Sequence, residues 1–313
     1  MNTSFLRETD FSLQEAKETF ELAQRYKRAR SACPLDLLRG QSWGLIFFKK
    51  STRTRLSFEV GVYELGGHPM LLNANDLQIS RGETIEDTAK VMGRYLSGLV
   101  IRAYEHKVVE DFAKYSKLPV VNALTDLLHP CQSYTDTFTM MEHFSKDGNV
   151  SLDSLRGKKF VFFGDTACNM GYSLALAGSM FGFDVVLCGP ESCEPKGDLD
   201  KIYKDAKLEK TYTFEPDPKK AAKNADVLYT DVWVSMGKEA EVEERMKLFA
   251  PYQVNAKLMA LAKPSAIFMH CLPAHAGQEV SAEVLNSKAS IIFDQAENRL
   301  HVQKAIISKL AKR

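Results

Sequence analysis

Short apolar runs and stretches of helical period alternate from one end of this chain to the other, and that order constrains the fold more than any other feature. A parallel strand pair needs a crossover of a dozen or more residues, and an amphipathic helix supplies one while covering the sheet. The pattern therefore predicts an α/β fold of open, mostly parallel sheets with helices on both faces. The 313 residues leave room for about two domains at ~150 residues each. We expect a first domain over 1–132, a second over 133–294, and a C-terminal helix over 295–313 that packs back on the first.

In the first half, strands are expected at 43–48, 70–72, 99–101 and 119–121. Helices are expected at 52–65, where Phe58, Val62 and Leu65 share a face, at 84–96 with Ile85, Ala89 and Met92 inward, and at 109–115. Pro130 suits the first turn of a further helix, down which Tyr134, Phe138 and Met141 recur at helical spacing, and that helix is expected to bridge the domains. Beyond it, strands are expected at 159–163, 184–187, 211–214, 226–229, 266–269 and 291–293, with a last helix from about Glu297 to Ala311.

Composition narrows the function. The 41 basic and 40 acidic residues nearly cancel, so no global charge favours nucleic acid or an anionic membrane, and an anion site has to be local. No apolar run approaches the eighteen or so residues of a membrane helix, and the polar, acidic start does not read as a targeting peptide, so a cytoplasmic location is expected. Six cysteines, Cys33, Cys131, Cys168, Cys188, Cys193 and Cys271, show no CxxC spacing, which argues for free thiols over a zinc site or disulfides. No metal and no cofactor is expected. Gly164-Asp165-Thr166-Ala167-Cys168-Asn169-Met170-Gly171 lacks the GxGxxG spacing for a dinucleotide, which counts against a nicotinamide-dependent oxidoreductase, and no GxxxxGK[ST] loop is present.

In open α/β sheets ligands gather at the carboxyl ends of strands, where loops converge and helix N-termini point free amides inward. The chain's unusual residues follow that rule. Lys49-Lys50-Ser51-Thr52-Arg53-Thr54-Arg55 follows the first strand, Arg102 ends the third, and His129 and Gln132 come shortly after the fourth. Asn169, Asp231 and His270-Cys271-Leu272-Pro273 occupy the same positions in the second half. Ser51 to Arg55 opens a helix directly after a buried strand, so amides, hydroxyls and a guanidinium can surround one phosphate; a serine cap with solvated arginines is the plainer alternative. Arg102 alone reads equally as a surface ion-pair residue, and His129 and Gln132 as residues of a helix start. Asp231 can hold an amine or cap the next helix. Cys271 beside His270 is a poor dyad, because neighbours along a strand point to opposite faces.

Read together, Ser51-Thr52-Arg53-Thr54-Arg55, His129-Pro130-Cys131-Gln132, Asp231-Val232-Trp233-Val234-Ser235-Met236-Gly237, His270-Cys271-Leu272-Pro273 and Ala296-Glu297-Asn298-Arg299 resemble the aspartate/ornithine carbamoyltransferase family along nearly the whole chain, and within it the ornithine type. The resemblance implies that carbamoyl phosphate and L-ornithine are the substrates. It implies that Ser51, Thr52, Arg53, Thr54, Gln78, Arg102, His129, Gln132, Cys271, Leu272 and Arg299 bind carbamoyl phosphate. It likewise assigns Asn169, Asp231, Ser235 and Met236 to ornithine, and Arg102, His129, Gln132, Asp231 and Cys271 to catalysis. It further implies a homotrimer or a multiple of trimers, with the 77–81 segment reaching a neighbouring subunit. Cys168 stands where ornithine-type members commonly carry the first of two asparagines, and Ser133-Tyr134-Thr135 replaces more usual aliphatic residues; both bear on the acceptor pocket. Putrescine or an N-acylornithine as acceptor, and an anion-binding protein of this fold without turnover, remain open at this point.

Overall fold

The computed structural model describes residues 4–33, 35–234 and 242–311. Its strands are β1 (Ser42–Phe47), β2 (His68–Asn73), β3 (Gly98–Arg102), β4 (Val120–Leu124), β5 (Lys159–Phe163), β6 (Asp184–Cys188), β7 (Thr213–Phe214), β8 (Val227–Thr230) and β9 (Ile267–His270). Its α-helices are α1 (Leu13–Arg28), α2 (Arg53–Glu64), α3 (Ile85–Tyr95), α4 (His106–Ser116), α5 (Pro130–Phe144), α6 (Asn169–Phe181), α7 (Asp198–Ala206), α8 (Pro218–Ala222), α9 (Val242–Phe249), α10 (Ala256–Met259), α11 (Ala282–Leu285) and α12 (Ile292–Ala311). The chain forms two compact units, one of residues up to Ser151 together with those from Glu297 onward, the other Leu152–Ala296.

The first unit carries a parallel sheet in the order β2-β1-β3-β4. Strand order reverses between β1 and β3, so the loops leaving these strands part to opposite faces and open a crevice at their carboxyl ends. Ile46, Leu99, Ile101 and Val120 of the sheet, with Ala89, Met92 and Phe112 of its helices, make one core. Expected helix faces are where the periodicity put them: Phe58, Val62, Ala89, Tyr134 and Phe138 are fully buried. The second unit carries the order β7-β6-β5-β8-β9, all parallel, and its reversal lies between β5 and β8.

Three expectations change. The units divide at Ser151, not after Gln132. The reason is that α5 is buried within the first unit: Tyr134 packs on Phe5, Phe11 and Phe20 with centroids 4.9, 6.4 and 5.4 Å away, and its hydroxyl donates to the Glu8 carbonyl at 2.8 Å. Second, 291–293 is not a strand. Ser290 makes a single bridge to Phe268, Ile291 N–H donates to the Phe268 carbonyl, and α12 begins one residue later, leaving Phe293 exposed. An apolar triplet is too short for its period to separate strand from helix. Third, α1 has no counterpart among the expected helices, although Ser12 and Glu15 form a reciprocal capping box at its start, the usual local signature of a helix beginning.

Buried histidines tie the stability of this fold to pH. Burial pushes His106 and His301 each down to about 4, and burial followed by the cations of Arg299 and Arg102 holds His129 well below the ordinary value. Because the folded pKa values lie below the unfolded ~6.5, the unfolded chain takes up these protons first as pH falls. Stability is then lost from about pH 6.5 downward, at up to about 1.4 kcal/mol per pH unit for each histidine. Urea midpoints are expected to fall steadily from pH 7 to pH 5; a flat or rising profile contradicts these burials.

Candidate functional site

On the first unit, the switch-point crevice collects the buried polar side chains of Thr54, Arg102, His129, Gln132 and Arg299. Ser51 leaves β1 and its hydroxyl accepts the Thr54 N–H at 3.3 Å, capping the start of α2 in the way its sequence suggests. Thr52 and Arg53 are exposed at that helix N-terminus, while Thr54 is buried. Arg102 comes from the end of β3, where it pairs in register with Phe47 of β1, and its guanidinium donates to Thr54 Oγ1 at 3.4 Å. Arg55 is not brought in; it pairs with Glu59 on the helix surface.

Arg299 arrives from the far end of the chain. A Cβ on Gly61 of α2 would meet Lys304 Cγ at 3.3 Å, so the glycine lets α12 lie close against α2, and Lys304 locks the contact by a buried 2.7 Å pair with Glu64. That packing sets Arg299 beside α2. Its Nη2 donates to Thr54 Oγ1 at 3.1 Å and its Nη1 to Gln132 Oε1 at 2.7 Å. With the Gln303 amide oxygen facing it, Gln303 accepts from Arg299 Nε at 3.0 Å. Gln132 in turn donates from Nε2 to the buried Asp136 at 2.8 Å, which fixes its amide so that the oxygen faces the cation. His129 sits at the N-cap of α5 before Pro130 and stays a neutral imidazole at neutral pH, because burial and two nearby guanidiniums resist a further charge. Two buried cations, a helix N-terminus and a neutral imidazole can bind a dianion and polarise a carbonyl beside it. Gln78 stands apart, exposed on the turn Gln78–Arg81, without a side-chain hydrogen bond to this cluster.

On the second unit the strand ends carry a different chemistry. Asp231 follows β8, and its Oδ1 accepts the Val232 N–H at 2.8 Å and the Cys271 thiol at 3.0 Å. Asn169 opens α6. Gly171 lets that helix start against the loop after β5, since a Cβ there would come within 2.4 Å of the Thr166 carbonyl oxygen. His270 is buried, with Nε2 3.2 Å from the buried Glu279 and Nδ1 accepting the Leu272 N–H at 2.8 Å. The Nδ1 contact makes Nε2 the protonated nitrogen, so it donates to Glu279. This holds Leu272 at a φ of 60°, a left-handed conformation costly for a leucine. Among the described residues Asp231, His270 and Cys271 offer ligand atoms within 4.8 Å of one another, but both ring nitrogens of His270 are engaged, so its role is to hold the turn that aims Cys271 at Asp231. Ser235 and Met236 lie outside the described residues.

Two residues beyond the sequence reading also shape this end. Glu279 has no local signal; only burial beneath the His270 turn reveals it. Arg245 of α9 donates to Asp165 Oδ2 and to the Trp233 carbonyl, both at 2.6 Å, joining the ends of β5 and β8. Such pairs become visible only when the topology brings distant segments together.

One unit is built to take an anion and the other presents a carboxylate for a cation, the division of labour of a group transferase. The chain belongs to the aspartate/ornithine carbamoyltransferase family: its carbamoyl-P binding domain matches residues 3–142 and its Asp/Orn binding domain residues 156–310. It is 48% identical to the ornithine carbamoyltransferase of Thermococcus kodakarensis over 302 residues, covering 96% of this chain and 93% of that one. The solved ornithine carbamoyltransferase of Pyrococcus furiosus superposes with a TM-score of 0.87 at 46% identity, covering 97% and 95% of the two chains. The anabolic ornithine carbamoyltransferase of Campylobacter jejuni gives 0.88 at 36% identity, covering 99% of each.

Proposed function

We propose that the chain transfers the carbamoyl group of carbamoyl phosphate to the side-chain amine of L-ornithine, giving L-citrulline and inorganic phosphate in arginine biosynthesis. The observation that carries this reading is the convergence of Arg102 and Arg299 on Thr54 at the start of α2. A phosphate seated on the α2 amides, with Ser51, Thr52, Arg53 and Thr54 around it, replaces the hydroxyl and amide oxygens that now occupy those guanidiniums. His129 and Gln132 then meet the carbamoyl end: the neutral imidazole donates to the carbonyl oxygen, and the Gln132 oxygen, held by Asp136 behind it, accepts from the carbamoyl amide.

On the second unit Asp231 and Asn169 hold the amino-acid end of ornithine, with Ser235 and Met236, and Cys271 and Leu272 lie beside the reacting amine. An alkyl amine has a pKa near ~10.4 and attacks only when neutral. The nitrogen bonds to the carbonyl carbon, the carbon–oxygen bond to phosphate breaks with its electron pair leaving on phosphate, and the nitrogen gives up one proton. Charge grows on the carbonyl oxygen and on the departing phosphate, where Arg102 and Arg299 stabilise it. Incubation with carbamoyl phosphate and ornithine, putrescine, acetylornithine or aspartate is expected to yield a carbamoylated product with ornithine alone; product from another acceptor at equal rate contradicts the assignment.

The active form we propose is a homotrimer in the cytoplasm, to which Gln78 contributes from a neighbouring copy. Support comes from α2, where Leu56, Val60 and Tyr63 expose 55%, 36% and 60% of their surface at i, i+4 and i+7, one apolar stripe on a helix face. No helix of the described residues is long and apolar enough to cross a membrane. Sedimentation is expected at about 105 kDa, three times the 35.1 kDa chain, or a multiple of it; a fully active monomer overturns the trimer.

A further inference from the structure

We propose that Lys49 is a positioning residue of the carbamoyl phosphate site, tying together the three strand-end loops that carry its groups. The proposal rests on the reading of that site given above. Backbone rungs tie the loops after β3 and β4 to each other, Ala103 N–H donating to the Leu124 carbonyl at 3.0 Å and Asp126 N–H to the Tyr104 carbonyl at 2.8 Å, while the rung that links β1 to them there is Phe48 N–H to the Arg102 carbonyl at 2.9 Å. Past Phe48 the β1 loop turns toward Ser51, and a side chain takes over from the backbone. Lys49 is 8% exposed. Its ammonium pairs with Asp126 in the loop after β4 and lies 4.1 Å from the ring centroid of Tyr104 in the loop after β3.

The tie reaches all three arms of the site. Ser51 follows Lys49 by two residues, Arg102 precedes Tyr104 by two, and His129 follows Asp126 by three. The Lys49 side chain is buried while both groups that hold its ammonium, Asp126 and Tyr104, reach the surface, so the lysine runs out through the protein to clasp the two outer loops. A cation held in this way, by a carboxylate and an aromatic face, is spent on geometry, and it fixes the distance between the phosphate-binding helix start and the groups that polarise the carbonyl. Displacement of such groups by about 1 Å can lower activity about a hundredfold.

A bare-charge role makes the opposite prediction for one variant. If Lys49 served only as positive charge near an anion, removing its counter-charge by Asp126→Asn should tighten anion binding; if it positions, the same change should weaken it. The experiment is calorimetric titration of the full-length protein with phosphonoacetamide, a stable mimic of carbamoyl phosphate, alongside KM and kcat. Lys49→Met is expected to weaken binding about tenfold or more and Asp126→Asn about threefold or more, with the double variant about as weak as Lys49→Met alone. Lys49→Arg, which can keep both contacts, should restore most of the affinity, and the KM for ornithine should stay within about twofold in every variant. Unchanged or tighter binding by Asp126→Asn overturns the proposal. A wild-type protein that does not bind phosphonoacetamide overturns instead the assignment of the site.

Discussion

Replacing Arg102 by alanine is expected to lower kcat by about 10²- to 10³-fold, the range seen when one preorganised donor to a developing negative charge is removed. The same change should weaken phosphate binding much less. In the structure Arg102 is buried at the end of β3 and reaches Thr54 from the sheet side, while Arg299 reaches the same hydroxyl from α12. A bound phosphate keeps Arg299 and the α2 amides when Arg102 is lost. The carbonyl oxygen, whose charge appears only as the amine attacks, loses a donor that acts mainly in the transition state. Steady-state kinetics with phosphate as a product inhibitor separates the two. Equal losses in turnover and phosphate affinity would remove Arg102 from the role given to it.

Replacing Asp231 by asparagine is expected to raise the KM for ornithine by about 10- to 100-fold, as the loss of a charge-assisted hydrogen bond of about 1.5–3 kcal/mol implies. The shape changes little. The amide oxygen of the replacement side chain can still accept the Val232 N–H that the carboxylate accepts at 2.8 Å, so the end of β8 should keep its form. What disappears is the negative charge facing the acceptor, since the same amide oxygen can also go on accepting the Cys271 thiol. Carbamoyl phosphate affinity should remain within about twofold, because the cations and the helix start that hold its phosphate belong to the first unit and the change at Asp231 leaves the Cys271–Leu272 turn in place. If that affinity falls as far as the affinity for ornithine, the division of roles between the units is wrong.

Much of this arrangement is legible in the sequence for one physical reason: parallel sheets concentrate chemistry at the carboxyl ends of their strands. The segment from Ser51 to Arg55, Arg102, His129, Asp231 and Cys271 all stand out because polar groups directly after buried apolar runs need an explanation. The chain pattern also placed nearly every strand within a residue or two. What it could not show is pairing across distance. Arg299 is one arginine in a mostly polar helix stretch, and its place beside Thr54 depends on Gly61 admitting α12 to the face of α2. Resemblance to the family suggested it; no local pattern did. Glu279 reads as a solvated acid in a loop, and it became a buried hydrogen-bond acceptor because the turn after β9 folds over it. The stretch 291–293 shows the converse, an apolar triplet absorbed by a longer helix.

The most direct measurement is a crystal structure of the protein soaked with N-phosphonoacetyl-L-ornithine, which joins the two substrates in one molecule. The phosphonate is expected on the α2 N-terminus within hydrogen-bond distance of Arg102, and the amino-acid end against Asp231 and Asn169. A phosphonate seated anywhere else, with Thr54 still holding both guanidiniums, contradicts the assignment of the site.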